Sequence, residues 1–108
     1  MSITRLFNDV DTNRFGYVCP QGAGYIDARV LAANVAEVHT VPAGAQRVFF
    51  SGTADFYVNF SGAAAVPATD VTDGSASLLN PTARSIAGVG TIGIISPCAC
   101  VVTMEFYL

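Results

Sequence analysis

Side chains able to do chemistry are few and widely spaced in this sequence. His39 is the only histidine, so a nucleophile paired with a general base would depend on it. In a strand, Glu37 and His39 would share one face with Val41, because side chains alternate between the two faces. We interpret Glu37 and His39 as an exposed polar pair.

Carboxylates give no clearer signal of acid–base catalysis. The chain has eight acidic residues, most of them in turn-like sequence, whereas acid–base work needs two groups held together. Asp55 and Glu105 lie on predicted strands and could approach each other across a sheet, although nothing in the sequence requires it. We therefore predict no catalytic residues and a protein that is not an enzyme.

Three cysteines, Cys19, Cys98 and Cys100, form no even disulfide framework, and we interpret them as reduced, buried thiols. Cys98 and Cys100 are two apart in a strand-like run, so both should face the same side of a sheet. A metal site would also need Cys19 and His39, and the spacing does not favour one.

Two short motifs resemble ligand sites but lack their context. Gly88–Gly93 spells G-x-G-x-x-G, but a strand-like run follows it, and no acidic residue can lie about 20 positions downstream. We interpret its glycines as a turn and a bulge. Asp9–Asn13 begins like a calcium loop, yet the sixth and twelfth positions hold Arg14 and Pro20 instead of Gly and Glu. We expect no metal and no cofactor.

Composition excludes further classes. The net charge is −3, and the five basic residues are scattered arginines, which form no basic stripe for nucleic acid. No apolar run approaches the ~20 residues of a spanning helix, and the N-terminus lacks the apolar core of a secretory signal. The sequence predicts a soluble protein, made in the cytoplasm, that binds neither nucleic acid nor membrane. Only 12% of residues are charged, which suits a surface that contacts other protein.

Period-two alternation in the second half predicts half-buried β-strands. Four runs carry it: Gln46–Phe50, Asp55–Phe60, Thr91–Ser96 and Val101–Leu108. The residues predicted to share one face of their strand are Val48 and Phe50; Phe56, Val58 and Phe60; Ile92 and Ile94; and Val102, Met104, Phe106 and Leu108.

Turn signals separate these runs. Pro42–Ala45 reads as a tight connection, Ser51–Ala54 as a hairpin turn, and Ser61-Gly62 and Pro97 end strands. Short strands at intervals of about ten residues are typical of a sandwich or barrel. We predict an all-β, single-domain antiparallel β-sandwich over residues 25–108. Residues 1–24 would form an N-terminal arm or a first strand.

Two regions leave alternatives open. Asp27–Val38 can form a helix, or two strands around Ile26–Leu31 and Ala36–Val41. We prefer strands because the following turns fit a sheet. Ala63–Pro81 has two prolines, an Asp-Gly pair and small polar residues, which predict a long surface loop. Loops of that length often contact a partner.

Three phrases carry a resemblance to a known family: VPAGAQRVFFSGTADFYVNF (Val41–Phe60), AAAVPATDVTDGSASLLNP (Ala63–Pro81) and ISPCACVVTMEFY (Ile95–Tyr107). In them the chain resembles small capsid decoration or cement proteins of tailed bacteriophages. The resemblance implies a jelly-roll-like sandwich on the capsid surface of a virion, made in the host bacterial cytoplasm. It also implies a homotrimer that binds the major capsid protein and bridges capsomers, and it offers no catalytic residues.

We expect the capsid or subunit interface in two places. One is the N-terminal arm, with Ile3, Leu6 and Phe7. The other is the long loop and its end, with Val66, Pro67, Leu78 and Leu79. Two alternatives stay open: a carbohydrate-binding module for host adhesion, and a low-copy structural component of the neck or tail. The chain has four tyrosines but no tryptophan, which weakens the carbohydrate alternative.

Overall fold

The computed structural model describes residues 22–108, and in that range the chain forms eight strands and no helix. The predicted arm residues Ile3, Leu6 and Phe7, together with Cys19 and the Asp9–Asn13 motif, lie outside the described residues. The strands are β1 (Tyr25–Leu31), β2 (Glu37–Thr40), β3 (Arg47–Gly52), β4 (Tyr57–Asn59), β5 (Leu78–Leu79), β6 (Ala83–Ser85), β7 (Thr91–Ile95) and β8 (Cys100–Tyr107).

The strands form two four-stranded sheets, and every pairing is antiparallel. Sheet A has the order β1-β8-β3-β6 and sheet B has the order β2-β7-β4-β5. Four of the pairings are nested: β1 with β8, β2 with β7, β3 with β6, and β4 with β5. The chain is thus one long hairpin, folded over so that β8 also pairs with β3 and β7 with β4. The predicted all-β antiparallel sandwich is confirmed.

The core follows the predicted alternation. Alternate residues of β3, β4, β7 and β8 point between the sheets and are buried, because each sheet hides only one face. Leu108 differs from the prediction: β8 ends at Tyr107, and Leu108 is exposed. The core cluster consists of Leu31, Ala45, Val48, Phe50, Phe56, Val58, Ile86, Ile92, Ile94, Cys100, Val102, Met104 and Phe106.

The interval Asp27–Val38 contains strands, as preferred, and the helical alternative is wrong. All seven residues of β1 pair with β8, and β2 pairs with β7 from Glu37 to Thr40. Between them the chain turns at Asn34, which has a positive φ of 59°. Asparagine tolerates that conformation better than most residues do, so a short connection suffices to cross between the sheets.

The predicted hairpin turn at Ser51–Ala54 is wrong, because β3 and β4 belong to different sheets. The Thr53 N–H donates to the Val101 carbonyl at 3.1 Å, and its Oγ1 accepts from the Val101 N–H at 3.0 Å. The chain then crosses the end of the sandwich. A Cβ at Gly52 would lie 2.7 Å from the Phe56 ring, so the crossing needs glycine there.

A buried serine joins three segments at this same end. Ser96 is fully buried, and its Oγ donates to the Asp55 carbonyl at 2.6 Å and accepts from the Cys98 N–H at 3.1 Å. Its carbonyl accepts from the Asn34 N–H at 2.7 Å. Because a buried polar group must be paired, Ser96 fixes the β1–β2, β3–β4 and β7–β8 connections relative to one another.

Candidate interaction surfaces

The outer face of sheet B is crossed by the long loop between β4 and β5. A Cβ built on Gly93, in the middle of β7, would collide with the Gly62 carbonyl oxygen and lie 2.8 Å from the Ala64 nitrogen. Ala64 itself is buried. The bulge predicted here is wrong: β7 pairs in unbroken register with β2 and β4. Gly93 is glycine because the loop backbone passes directly over it.

Hydrogen bonds across the loop fix its shape. The Ala65 N–H donates to Ser77 Oγ at 3.1 Å, and Asn59 Nδ2 donates to the Ser75 carbonyl at 3.5 Å. Asp73 Oδ1 accepts from the Ser75 N–H at 3.0 Å and from its hydroxyl at 2.6 Å, and these bonds lower the pKa of Asp73. The loop is therefore an ordered structure over sheet B.

Asn80 fastens the far end of the loop to the sandwich. Its N–H donates to the Phe56 carbonyl at 2.9 Å, and its Oδ1 accepts from the Phe56 N–H at 3.0 Å. Its Nδ2 donates to Asp55 Oδ1 at 2.9 Å. A positive φ of 47° at Asn80 permits this arrangement. As a result, the two residues of β5 are held beside β4.

Four of the seven predicted interface residues lie in the described range, on the long loop and on β5. Within β5, Leu79 is paired with Tyr57 and lies on the outer face, whereas Leu78 is paired with the buried Val58 and points to the other side. Val66 and Leu78 adjoin the hydrogen-bonded pair Ala65–Ser77. Pro67 is exposed, Val66 is half-buried, and Leu78 and Leu79 expose 41% and 52% of their surface. We call Val66, Pro67, Val71, Leu78 and Leu79 the loop surface. The sequence did not single out Val71, which is also exposed.

Sheet A presents a different outer face. The outward residues of β1 are Ile26, Ala28 and Val30, and all three are exposed. Ile26 exposes 51% of its surface and Val30 76%. We call the outward residues of the four strands the open face: Ile26, Ala28, Val30, Arg47, Phe49, Ser51, Ala83, Ser85, Val101, Thr103, Glu105 and Tyr107. Only Arg47 and Glu105 among them carry charge.

One end of the open face is packed tightly. Tyr107 is buried although it points outward, and its ring meets the Phe49 ring edge-on with centroids 5.4 Å apart. Burial, followed by the nearby charge of Glu105, raises the pKa of Tyr107. Arg47 is engaged as well, because its guanidinium donates to the Leu108 carbonyl at 2.9 Å. The exposed apolar part of this face is therefore concentrated on β1.

The edges of the two sheets meet through a cluster of charged side chains. The prediction that Glu37 and His39 form an exposed pair is wrong, because they point inward toward β1 and are only partly exposed. Arg29 donates from Nε to His39 Nδ1 at 3.1 Å and from NH1 to Glu37 Oε1 at 3.2 Å. His39 Nε2 lies 2.8 Å from Asp27 Oδ2. This cluster closes one side of the sandwich.

The cluster assigns the histidine tautomer. Arg29 can only donate, so His39 Nδ1 accepts and the proton of a neutral ring lies on Nε2, facing Asp27. Nε2 lies 2.8 Å from the carboxylate but makes no hydrogen bond that meets the geometric criteria. The ring also stacks on Phe106 with centroids 5.9 Å apart. Among residues 22–108, no hydroxyl or thiol hydrogen-bonds to His39.

The prediction that Cys98 and Cys100 share a face of a sheet is wrong. Cys98 precedes β8 in an exposed turn, whereas Cys100 begins β8 and is buried. The described residues contain no group of three or more potential metal ligands.

The Gly88–Gly93 motif leads into strand β7 through a turn with a positive φ at Gly88. Asp55 lies in the connection before β4 and belongs to no strand, whereas Glu105 lies in β8 of sheet A, so the two do not face each other across a sheet.

Comparison with known proteins does not identify a family for this chain. No family model, no curated protein and no solved structure matches it. Between residues 22 and 108 there is no helix that could cross a membrane.

Proposed function

We propose that this chain is a structural virion protein that decorates and cements a bacteriophage capsid by bridging capsomers, without catalysis. The resemblance in the three phrases supports this function. The nested strand pairing supports a sandwich of the jelly-roll type, in which eight strands fold as two packed sheets.

The observation that carries the proposal is a pair of apolar surfaces on opposite sides of one small domain. The loop surface lies on the side of sheet B, and the open face is the outside of sheet A. A protein that joins neighbouring molecules needs contact surfaces on two sides. Exposed apolar residues grouped in patches mark interaction sites more often than scattered ones do.

We assign the loop surface to the major capsid protein and the sheet A side to contacts between copies of this chain, with a trimer as the oligomer. Pro67, Leu78 and Leu79 are already ordered, because the loop is tied down at Ala65–Ser77 and at Asn80. An ordered surface binds with less loss of entropy than a disordered one. Repetition over a capsid lattice then multiplies a weak contact through avidity.

The first experiment counts this protein in purified virions of the phage that encodes it, by quantitative mass spectrometry against the major capsid protein. A copy number comparable with that of the major capsid protein is the expected result. A copy number lower by an order of magnitude or more would assign the chain to the neck or tail. Absence from the virion, together with binding on a glycan array, would replace the proposal with carbohydrate recognition.

A second experiment tests the surface itself by adding purified protein back to capsids that lack it. Leu79→Glu places a charge at the contact, so we expect a loss of at least tenfold in capsid affinity. Val38→Glu is the matched control. Val38 exposes 51% of its surface, nearly the same as Leu79, on the same outer face but at the opposite edge of sheet B. Equal losses for both variants would contradict the assignment of the loop surface.

A further inference from the structure

We infer that two copies of this chain pair through strand β1, antiparallel about a two-fold axis at Ala28, so that sheet A continues from one molecule into the next. This contact goes beyond the proposed function and does not depend on it. It involves the backbone edge of β1, two exposed apolar side chains and two charged ones. The backbone edge and the apolar side chains fit a second copy of this chain, and the charged side chains select the register.

The outer edge of β1 carries backbone groups that β8 does not pair. Val101 directs both its N–H and its carbonyl toward Thr53, on the β3 side of β8. Its partner Val30 is therefore in a non-hydrogen-bonded pair and directs its own N–H and carbonyl away from β8. By the same alternation, Ala28 and Ile26 do so as well. Within residues 22–108, no other backbone group bonds to these three residues from the outer side.

A seven-residue edge strand with a row of unpaired backbone groups is a template for pairing with another strand. With Ala28 opposite Ala28 of the second copy, Ile26 lies opposite Val30 and Val30 opposite Ile26. These three pairs are of the hydrogen-bonded kind, because the six residues direct their N–H and carbonyl groups across the axis. Each pair exchanges two hydrogen bonds.

The side chains of Ile26 and Val30 are the second observation. They are the two large hydrophobic residues that β1 exposes on the open face. In the paired strands, each Ile26 would lie directly against Val30 of the other copy. Apolar cross-strand pairs of this kind stabilise a sheet. The pairing thus covers the most exposed apolar side chain of the open face, Val30.

Charge selects the register. When Ala28 is on the axis, Asp27 lies opposite Arg29 of the second copy, and Arg29 lies opposite Asp27. Moving the axis to Asp27 or Arg29 keeps the hydrogen bonds in phase but places two like charges opposite each other. Like charges directly opposite are destabilising, whereas opposite charges attract. The sequence YIDARVL is thus complementary to itself in one register.

A different explanation of these charges is that they protect the edge. Inward charged residues are one means by which proteins prevent edge strands from pairing. In β1, however, Asp27 and Arg29 have opposite sign and are symmetric about Ala28. The two charges therefore penalise the neighbouring registers and leave the self-complementary one open. An isologous two-fold contact of this kind is also the commonest symmetry among oligomers.

The test is sedimentation velocity of the full chain over a wide range of concentrations, with two matched variants. Ile26→Lys/Val30→Lys puts lysine opposite lysine in the pair, and Ile26→Lys/Val30→Glu puts lysine opposite glutamate. Within one copy the two positions are about 13 Å apart along the strand. The variants therefore lose the same apolar side chains and differ chiefly in the cross-copy charge.

We expect wild type to dimerise reversibly or, if the rest of the sheet A side holds three copies together as proposed above, to link trimers pairwise. Ile26→Lys/Val30→Lys should weaken this association at least tenfold, and Ile26→Lys/Val30→Glu should retain it. Ala28→Pro removes an N–H that points away from β8 and should also block pairing while the fold survives, as circular dichroism would show. Equal association of the two lysine-containing variants would overturn the inference, as would a wild type that never pairs.

Residues 1–21 are the other candidate to cover this edge. A chain lacking residues 2–21 distinguishes the two occupants. If the full chain stays monomeric and the shortened chain dimerises, the edge belongs to the chain's own N-terminal residues, and the inference is overturned. If both dimerise with the same dependence on the charge variants, a second copy is the occupant. Capsid binding by Ile26→Lys/Val30→Lys then reports on the proposed function separately.

Discussion

The two outer faces of this sandwich differ in what lies over them. On sheet B the chain covers its own face, because the loop backbone passes over Gly93 at a distance that no side chain would permit. On sheet A the outward residues of β1 stay exposed, with Val30 at 76%. Both sheets obey the same inward alternation. The difference teaches that alternation determines the core, whereas the path of the connecting loops determines whether an outer face is available, and Gly93 is the residue that lets the loop lie against sheet B.

Among the changes that test the contrast between the two faces, Gly93→Ala should cause the largest loss of stability. The added Cβ meets backbone atoms of Gly62 and Ala64, which cannot move aside as a flexible side chain would. Overpacking of this kind typically costs 1–3 kcal/mol, and we expect about 3 kcal/mol. Urea denaturation measures the loss, and an Asp-specific endoproteinase should cut faster at Asp70 and Asp73 once the loop is displaced.

Gly90→Ala is the matched control for that substitution. Gly90 lies three residues earlier and has no atom within 4 Å of an added Cβ, so the change should stay within about 0.5 kcal/mol. If the two variants were equally stable, the loop would not press on Gly93. The contrast between a covered and an open face would then fail.

Ser96→Ala should have the next largest effect, and it would loosen both sheets. Removing Oγ leaves the Asp55 carbonyl and the Cys98 N–H without their partner. A buried unsatisfied group costs about 1–3 kcal/mol. Hydrogen exchange should show faster opening at this end of the sandwich on both sheets, whereas Gly93→Ala should affect sheet B first. Ser85→Ala, at an exposed position on β6, provides the control.

The raised pKa of Tyr107, on sheet A, predicts a smaller effect that depends on pH: a fall in the free energy of unfolding under alkaline conditions. Its pKa is raised from the ordinary value of 10.0, first by burial and then by Glu105. Between pH 10 and the folded-state pKa, the folded state therefore holds a proton that the unfolded chain has lost. The free energy of unfolding must fall as the pH rises through this interval, and the contribution is intact below it.

Tyr107→Phe should reduce this alkaline slope, as measured by denaturant titrations between pH 9 and pH 11. Tyr57→Phe, on sheet B, controls for the general effect of losing a phenol. An unchanged slope in Tyr107→Phe would mean that other groups cause the alkaline loss. The buried Tyr107 at the packed end of the open face would then not be the cause of the loss of stability at alkaline pH.

Sequence patterns predicted the parts of this fold that depend on local alternation. Runs such as Val101–Leu108 showed which residues share a face, since one buried face requires period two. The long loop was also visible from its two prolines, its Asp-Gly pair and its small polar residues. The sheet to which each strand belongs could not be predicted from the sequence, because Ser51–Ala54 contains the same turn formers whether it joins neighbouring strands or crosses between sheets. That choice is made by the long-range pairing of β3 with β8.

The candidate surfaces were predictable only in part, for a related reason. Leu78 and Leu79 stood out as apolar residues at the end of a loop. Gly93 resembled a turn or bulge because the sequence does not show what passes over a strand. Glu37 and His39 appeared exposed because the inward face of an edge strand can be polar when charges from the other sheet pair with them. Arg29 supplies that pairing from β1.

The smallest effect on folding is expected from Val30→Thr on the open face. Threonine has nearly the same shape as valine and an equally high preference for strands. Because Val30 is mostly exposed, the stability of the isolated molecule should change by no more than about 0.5 kcal/mol. The same substitution at Val58, which is fully buried, places a hydroxyl in the core and should cost about 1–3 kcal/mol.

Thermal denaturation at low protein concentration compares these two valines before copies can associate. Repeating it at high concentration adds the proposed β1 contact, which stabilises the folded state by mass action. Val30→Thr should then fall below wild type, while the deficit of Val58→Thr should stay constant. If Val30→Thr were already as damaging as Val58→Thr in the dilute protein, β1 would be covered within one molecule, and the face we describe as open would be closed.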